Sequence, residues 1–260
     1  MIEKLKQSLE LAYQPIVDVN GDIIKFEVLI RYDMDEVGKD PQQLITWAEN
    51  DIDAMIQIDQ LVFERFRKER PVLESMLITP VIVSLNVSPV TVGKHDRFMA
   101  LVDTIVRREH HSLITIELEV LESWICPSTV NKYQDNLVSI RAAGIGLSLD
   151  DFGSGYACVR KLTNDPYTNI KLDGSLVSRV CDCQRTKKVV ATVIELAHEL
   201  GKTVTAEKVE TSEQFAQLQI LGCDYFQGYY FGKPVPLKDL TDIGGFEINK
   251  KNQIATTCHS

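Results

Sequence analysis

The sequence predicts an α/β fold, a (β/α)8 TIM-like barrel with an antiparallel first strand, and three observations carry that expectation. From about residue 80 onward a unit recurs in form: a short β-prone run, a polar or acidic residue at its end, then an amphipathic helix. Upstream of these units two strand-like runs flank the turn residues Asn20, Gly21 and Asp22, the signature of a hairpin. About eight strands in roughly 240 residues is the size of such a barrel, whose active sites lie at the C-terminal ends of the strands.

Taken in order, LAYQPIVDV and IIKFEVLIRYD form the opening hairpin, so the first strand pair is antiparallel. The later runs are VIVSLN (81–86), LITIELE (113–119), IGLSLD (145–150), NIKL (169–172), TVTAE (203–207) and DYFQG (224–228). Between them, Val130, Tyr133, Leu137 and Ile140 recur at helical spacing, with Ser128 or Thr129 as cap and Gly144 as terminator. QRTKKVVATVIELAHELG places Val189, Val190, Val193, Ile194 and Ala197 on one face and stops at Gly201, and SEQFAQLQILG repeats the device with Phe215, Leu218 and Leu221 before Gly222. Strands alternating with helices imply parallel pairing with right-handed crossovers. An open doubly wound sheet is the rival, but its nucleotide-binding form needs a Gly-rich phosphate turn after the first strand, and none follows here. The barrel is expected over residues 1–243, with 244–260 as a C-terminal edge or tail.

Composition narrows the classes. With 44% hydrophobic and 25% charged residues in 260, the chain can bury a sizeable core, which excludes a disordered or fibrous protein. No apolar stretch reaches the roughly 18 to 20 residues of a membrane span, and MIEKLKQSLELAYQP lacks the apolar core of a signal segment. A cytoplasmic protein without a membrane partner is therefore expected. Six scattered cysteines fit reduced thiols, and the close pair Cys181 and Cys183 lacks the further soft ligands of a zinc site. The net charge of -9 argues against binding polymeric nucleic acid, while a small phosphate substrate stays compatible.

The chemistry gathers at the strand ends. In IGLSLD, alternation puts Ile145, Leu147 and Leu149 on one face and Gly146, Ser148 and Asp150 on the other, with Asp150 at the rim. Asp151 would point away unless the strand ends there, and Gly153 and Gly155 supply a turn to end it. Alone, such a pair reads most simply as a helix cap with an acidic neighbour. The other ends change that reading: Glu27 shares a strand face with Leu29 and Arg31, an otherwise apolar inner face. Asn86, Glu119, Glu207 and Gln227 end their runs, and Lys171 lies in NIKLD. Several ionised carboxylates converging at one rim repel one another without a cation. All-oxygen ligands suit Mg²⁺ or Mn²⁺, and five or more can hold a pair of ions.

These stretches resemble the EAL family of bacterial cyclic di-GMP phosphodiesterases. YQPIVD (13–18), EVLIR (27–31), LNVSP (85–89), ELEVLES (117–123), LDDFGSGYA (149–157), IKLD (170–173), AEKVET (206–211) and DYFQGYYFGKP (224–234) occur in the family's order. The resemblance implies that Glu27, Asn86, Glu119 and Asp150 bind one metal, and Asp150, Asp151 and Glu207 the second or its waters. It implies that Lys171 positions or deprotonates the attacking water beside Glu207. Gln14, Leu29, Arg31, Asp173, Glu210 and Gln227 match substrate-contacting or supporting positions. Glu122 matches the anchor of the loop after Asp151, through which a homodimer is expected. The implied reaction is hydrolysis of one phosphodiester of cyclic di-GMP to linear pGpG, using two Mg²⁺ or Mn²⁺ ions.

Three residues depart from the pattern. Val28 replaces an alanine but faces away from Glu27. Lys208 replaces a glycine beside Glu207; a positive φ there costs lysine about 1 to 2 kcal/mol, a negative φ nothing. Cys158 follows the loop where serine is usual. Two other functions compete: an inactive relative that senses cyclic di-GMP or docks a protein, favoured by Lys208, and a carboxylate-Mg²⁺ barrel enzyme that removes a proton next to a carboxylate with Lys171 as base.

Overall fold

In the computed structural model, which describes residues 1–106, 112–121, 130–154, 162 and 166–242, a short helix α1 (Ile2–Ser8) leads into strand β1 (Glu10–Val17). Strand β2 (Ile23–Arg31) returns antiparallel to it, with Gln14 opposite Glu27. The turn between them is held by Asp18, whose carboxylate accepts the backbone N–H groups of Asn20 and Asp22, and Gly21 supplies the positive φ of 86°.

Three helices follow: α2 (Met34–Val37), α3 (Pro41–Ala48) and the long α4 (Ile52–Met76). Each has an aspartate N-cap, Asp33, Asp40 and Asp51. Together with α1 they bury a separate apolar cluster of Leu5, Val37, Leu44, Met55 and Ile58, against which Trp47 packs.

The repeating part then runs β3 (Val81–Val87), α5 (Pro89–Val92), α6 (His95–Val106), β4 (Ile114–Leu121), α7 (Val130–Ala142) and β5 (Gly146–Phe152). It continues with β6 (Asn169–Leu172), α8 (Gly174–Val177), α9 (Gln184–Glu199), β7 (Thr203–Ala206), α10 (Ser212–Ile220), β8 (Tyr225–Gln227) and β9 (Val235–Pro236). Strands β2 to β8 are parallel in chain order, and β1 closes the barrel by pairing antiparallel with both β2 and β8. The expected fold is therefore the observed one. β9 adds to β1 beyond β8, pairing with Ala12 and Tyr13.

The helix faces follow their spacing. Val190, Ile194 and Ala197 of α9 are buried, and Tyr133, Leu137 and Ile140 of α7 likewise. Val189 departs from the expected face and is exposed, because the buried stripe of α9 is narrow. The capping residues Ser128 and Thr129 lie outside the described residues, as do Glu122, Cys158 and the tail 244–260. Among the described residues no helix is long and apolar enough to cross a membrane.

The interior of the barrel is polar, which corrects the expectation of an apolar inner face on β2. Lys25, Glu27, Ser84, Glu117, Glu119, Ser148, Asn169, Lys171 and Thr205 are all buried. Below the rim, Lys25 donates to both oxygens of Glu117 at 3.1 and 3.2 Å, and Ser84 adds a bond at 3.0 Å. Asn169 donates to Ser148 at 2.7 Å and accepts from Thr205 and Thr203. Such a layer is tolerated because its members satisfy one another. It forms a hydrogen-bonded polar floor for the layer above.

Candidate active site

At the C-terminal ends of the strands, four carboxylates converge on one ammonium. Lys171 Nζ lies 2.5 Å from Glu119, 2.7 Å from Glu207, 3.1 Å from Asp150 and 3.3 Å from Glu27. These side chains come from β2, β4, β5, β6 and the end of β7, each pointing inward by strand alternation. Asn86, at the end of β3, donates Nδ2 to Glu27 Oε1 at 2.8 Å, and Gln227 donates Nε2 to Glu27 Oε2 at 2.6 Å. Gln227 also donates to Gln14 Oε1 at 3.0 Å, which ties β8 and β1 into the same network.

Asp151 joins the site by a route that alternation excludes. The strand does not end at Asp150, as the sequence suggested, but continues to Phe152 through a bulge: from Leu149 to Phe152 β5 advances three residues while β6 advances two. Asp151 sits at φ 57°, the left-handed region, and this turns its side chain to the same side as Asp150. Oxygens of Asp150, Asp151 and Glu207 consequently lie within 4.8 Å of one another.

The electrostatics reflect crowding around a single cation. Burial opposes charge on Lys171, but Asp150, Glu119, Glu207 and Glu27 outweigh it and hold the ammonium well above its usual pKa. Burial raises Glu119 well above the carboxylate range, with Glu27 adding to the rise. Glu207 is pushed up to about 8, chiefly by burial, with Lys171 opposing and Asp150 adding to it. Burial alone would raise Glu27 too, yet Lys171, Gln227 and Asn86 together bring it below its ordinary value.

These donors fit a divalent metal. They are hard oxygens, and three carboxylates are already grouped at ligand spacing. Glu119 Oε1, Gln227 Oε1 and Asp150 Oδ1 are buried without a hydrogen-bond donor; the last lies 3.1 Å from Lys171 Nζ as an ion pair. Four carboxylates also outnumber the three hydrogens of one ammonium. Glu27, Glu119, Asp150, Asp151 and Glu207 could supply carboxylate oxygens to a metal, and Asn86 its amide oxygen.

An open cleft of about 350 Å³ stands over this cluster. Gln14, Glu27, Leu29, Glu207, Glu210 and Gln227 line it, which brings together six of the sequence-nominated residues. Gly228, Tyr229 and Lys208 complete the lining. Tyr229 was not nominated: its exposure, with 62% of the residue open to solvent, depends on the turn after β8 and has no sequence signal. Asp173 caps α8 by accepting Ser175 N–H at 3.0 Å and lies at the edge of the site. Arg31 is not brought in; it is exposed at the end of β2 and donates to Ile30 O. The segment carrying Glu207 and Glu210 is clamped to β8, since Val209 donates to Gln227 O and accepts from Tyr230 N–H. Gly228 is required there, because any Cβ on it would collide with the Val209 backbone.

Comparison with known proteins agrees with this geometry. The model of the EAL domain family matches residues 3–234. The cyclic di-GMP phosphodiesterase RocR of Pseudomonas aeruginosa is 29% identical over 236 residues, covering 90% of this chain and 59% of RocR. The relatives are longer proteins: the chain spans 32% of the phosphodiesterase NbdA of the same organism. Among solved structures, the EAL enzyme Bd1971 with cAMP and cyclic di-GMP bound superposes with a TM-score of 0.80 at 27% identity, covering 91% of this chain and 64% of that one. The manganese and cyclic di-GMP complex of Klebsiella pneumoniae BlrP1 gives a TM-score of 0.71 at 27% identity, covering 88% and 56%.

Proposed function

The chain belongs to the EAL domain family, and on that premise we propose that it is a metal-dependent phosphodiesterase that hydrolyses cyclic di-GMP to linear pGpG. The observation that carries this reading is the convergence of Glu27, Glu119, Asp150 and Glu207 on Lys171, with Asp151 turned in beside them, under an open cleft. BlrP1 binds manganese and cyclic di-GMP together, which supports transferring both to this site.

Glu27, Asn86, Glu119 and Asp150 would hold one Mg²⁺ or Mn²⁺ ion, and Asp150, Asp151 and Glu207 a second. Bound metal supplies polarisation of the phosphate and acidification of water. Lys171, whose Nζ lies within 3.3 Å of Glu27, Glu119, Asp150 and Glu207, is assigned the role of donating to the attacking water or a phosphate oxygen. Glu207, whose carboxylate lies 2.7 Å from Lys171 Nζ, is the group beside it placed to accept a proton from the water. In the reaction the water oxygen bonds to phosphorus, one P–O ester bond breaks, and one water proton ends on the leaving ribose oxygen. Gln14, Leu29, Glu210 and Gln227 shape the cleft that holds the dinucleotide. Asp173 supports the rim, and Arg31 would need to swing from its place on Ile30 to take part. The proposal includes a barrel over residues 1–243 with 244–260 as a C-terminal edge or tail, a cytoplasmic location and a homodimer through the loop after Asp151 anchored by Glu122.

Purified protein incubated with cyclic di-GMP and Mg²⁺ or Mn²⁺ should form pGpG, read by chromatography, and Glu27→Ala should abolish it. A folded protein that turns over nothing with either metal rejects the reading. The second reading, a cyclic di-GMP receptor without hydrolysis, is favoured by one observation: Lys208, next to Glu207, is strained at φ 54°. Binding without turnover would select it.

A further inference from the structure

Lys208 is one of two non-glycine described residues with positive φ, the other being Asp151 of the site itself. At φ 54° an ordinary side chain costs backbone energy that glycine avoids. The strain places the side chain in a defined seat. Its stem lies across Gly174, where any Cβ would collide with it. Its ammonium comes within 3.8 Å of Asp173 Oδ2 while 68% of the side chain stays open to solvent.

The charge of the cleft gives this position its meaning. The acidic groups lining it are Glu27, Glu207 and Glu210, and Lys208 is the one cationic side chain among the lining residues. Lys171 lies beneath, enclosed by carboxylates. Bound metal would offset Glu27 and Glu207 but not Glu210, and the exposed Lys208 ammonium at the rim is placed to offset the repulsion that remains for a dianionic dinucleotide. The weak 3.8 Å contact with Asp173 leaves the amine able to exchange partners at little cost.

We propose that Lys208 is a phosphate-contacting residue of the cleft, adding ground-state affinity for a cyclic dinucleotide phosphodiester that Glu210 at the wall otherwise disfavours. The assignment rests on the proposed substrate. Its ammonium acts on binding and on the approach of the anion, so it falls on KM and on salt sensitivity, which screening weakens.

The test compares the unmodified chain with Lys208→Met, which keeps the stem, and Lys208→Arg, which keeps the charge. Equilibrium binding of cyclic di-GMP is measured with Ca²⁺ at low and high NaCl, alongside KM and kcat with Mg²⁺. Lys208→Met should weaken binding roughly five- to tenfold at low salt and flatten the salt dependence. The loss should appear in KM more than in kcat, and Lys208→Arg should retain binding within about twofold. Equal or tighter binding by Lys208→Met, or the same salt dependence, overturns the assignment while leaving the phosphodiesterase reading intact. An unmodified chain that neither binds nor hydrolyses cyclic di-GMP overturns both.

Discussion

Asp150 and Asp151 are consecutive residues of one strand, and both carboxylates reach the same site within 4.8 Å of Glu207 and of each other. The bulge at φ 57° is what turns the second to the side of the first. Asparagine tolerates this backbone region but carries no charge. Asp151→Asn should therefore keep the thermal midpoint within a few degrees while weakening Mn²⁺ binding, read by calorimetry, by at least about tenfold. Asp151→Val should also lose roughly 1 to 2 kcal/mol of stability, since valine is strained there.

The stability of the metal-free protein should fall as pH rises from about 5 to 8. Glu207 is pushed up to about 8 by burial first, Glu119 is raised well above its usual range by burial and Glu27, and Asp151 is raised by burial and Asp150. Unfolded, such groups titrate near 4, so across this window the folded state binds more protons. Their contribution is full below the unfolded value and lost as pH passes the folded one. Saturating Mg²⁺ or Mn²⁺ should flatten the decline in thermal midpoint by stabilising the ionised ligands. Asp59, pushed up to about 7 by burial, should leave a metal-independent share that Asp59→Asn removes. A midpoint that rises across this window, or a slope indifferent to metal, contradicts this account.

Lys208→Gly should stabilise the fold by about 0.5 to 1 kcal/mol, because relief at φ 54° exceeds the flexibility glycine adds to the unfolded chain. For a chain of 260 residues that is a rise of roughly 1 to 3 °C in thermal midpoint. An unchanged or lower midpoint would mean that packing of the stem on Gly174 outweighs the strain.

Below the site, Lys25 and Glu117 form a buried pair with the Lys25 ammonium over the Tyr225 ring at 4.6 Å. Lys25→Met should cost about 3 to 5 kcal/mol in urea unfolding, since it leaves Glu117 buried without its counter-charge and with Ser84 as its remaining side-chain donor. Adding Glu117→Gln should recover most of the loss; if it does not, the packing of the lysine stem, not its charge, carries the effect.

Much of the molecule was legible in the sequence. The hairpin turn at Asn20, Gly21 and Asp22 and the alternation in IGLSLD are local patterns, and the antiparallel β1 and the inward Asp150 follow from them. Asp150 was expected on the Ser148 face, and it stands there with Lys171. The polar floor of Lys25, Ser84 and Glu117 went unread, because its members lie mid-strand, where single polar residues carry no signal until their partners are known.

The sequence by itself determined the order of strands and helices and the identity of the polar residues at the strand ends. Those properties depend on neighbours a few positions away. Tertiary structure alone decided that Asp151 turns inward and that Lys208 takes a positive φ across Gly174. Each depends on register against another strand or contact with a distant segment, such as β5 slipping one residue against β6. A period of two residues along one strand contains no term for that slip.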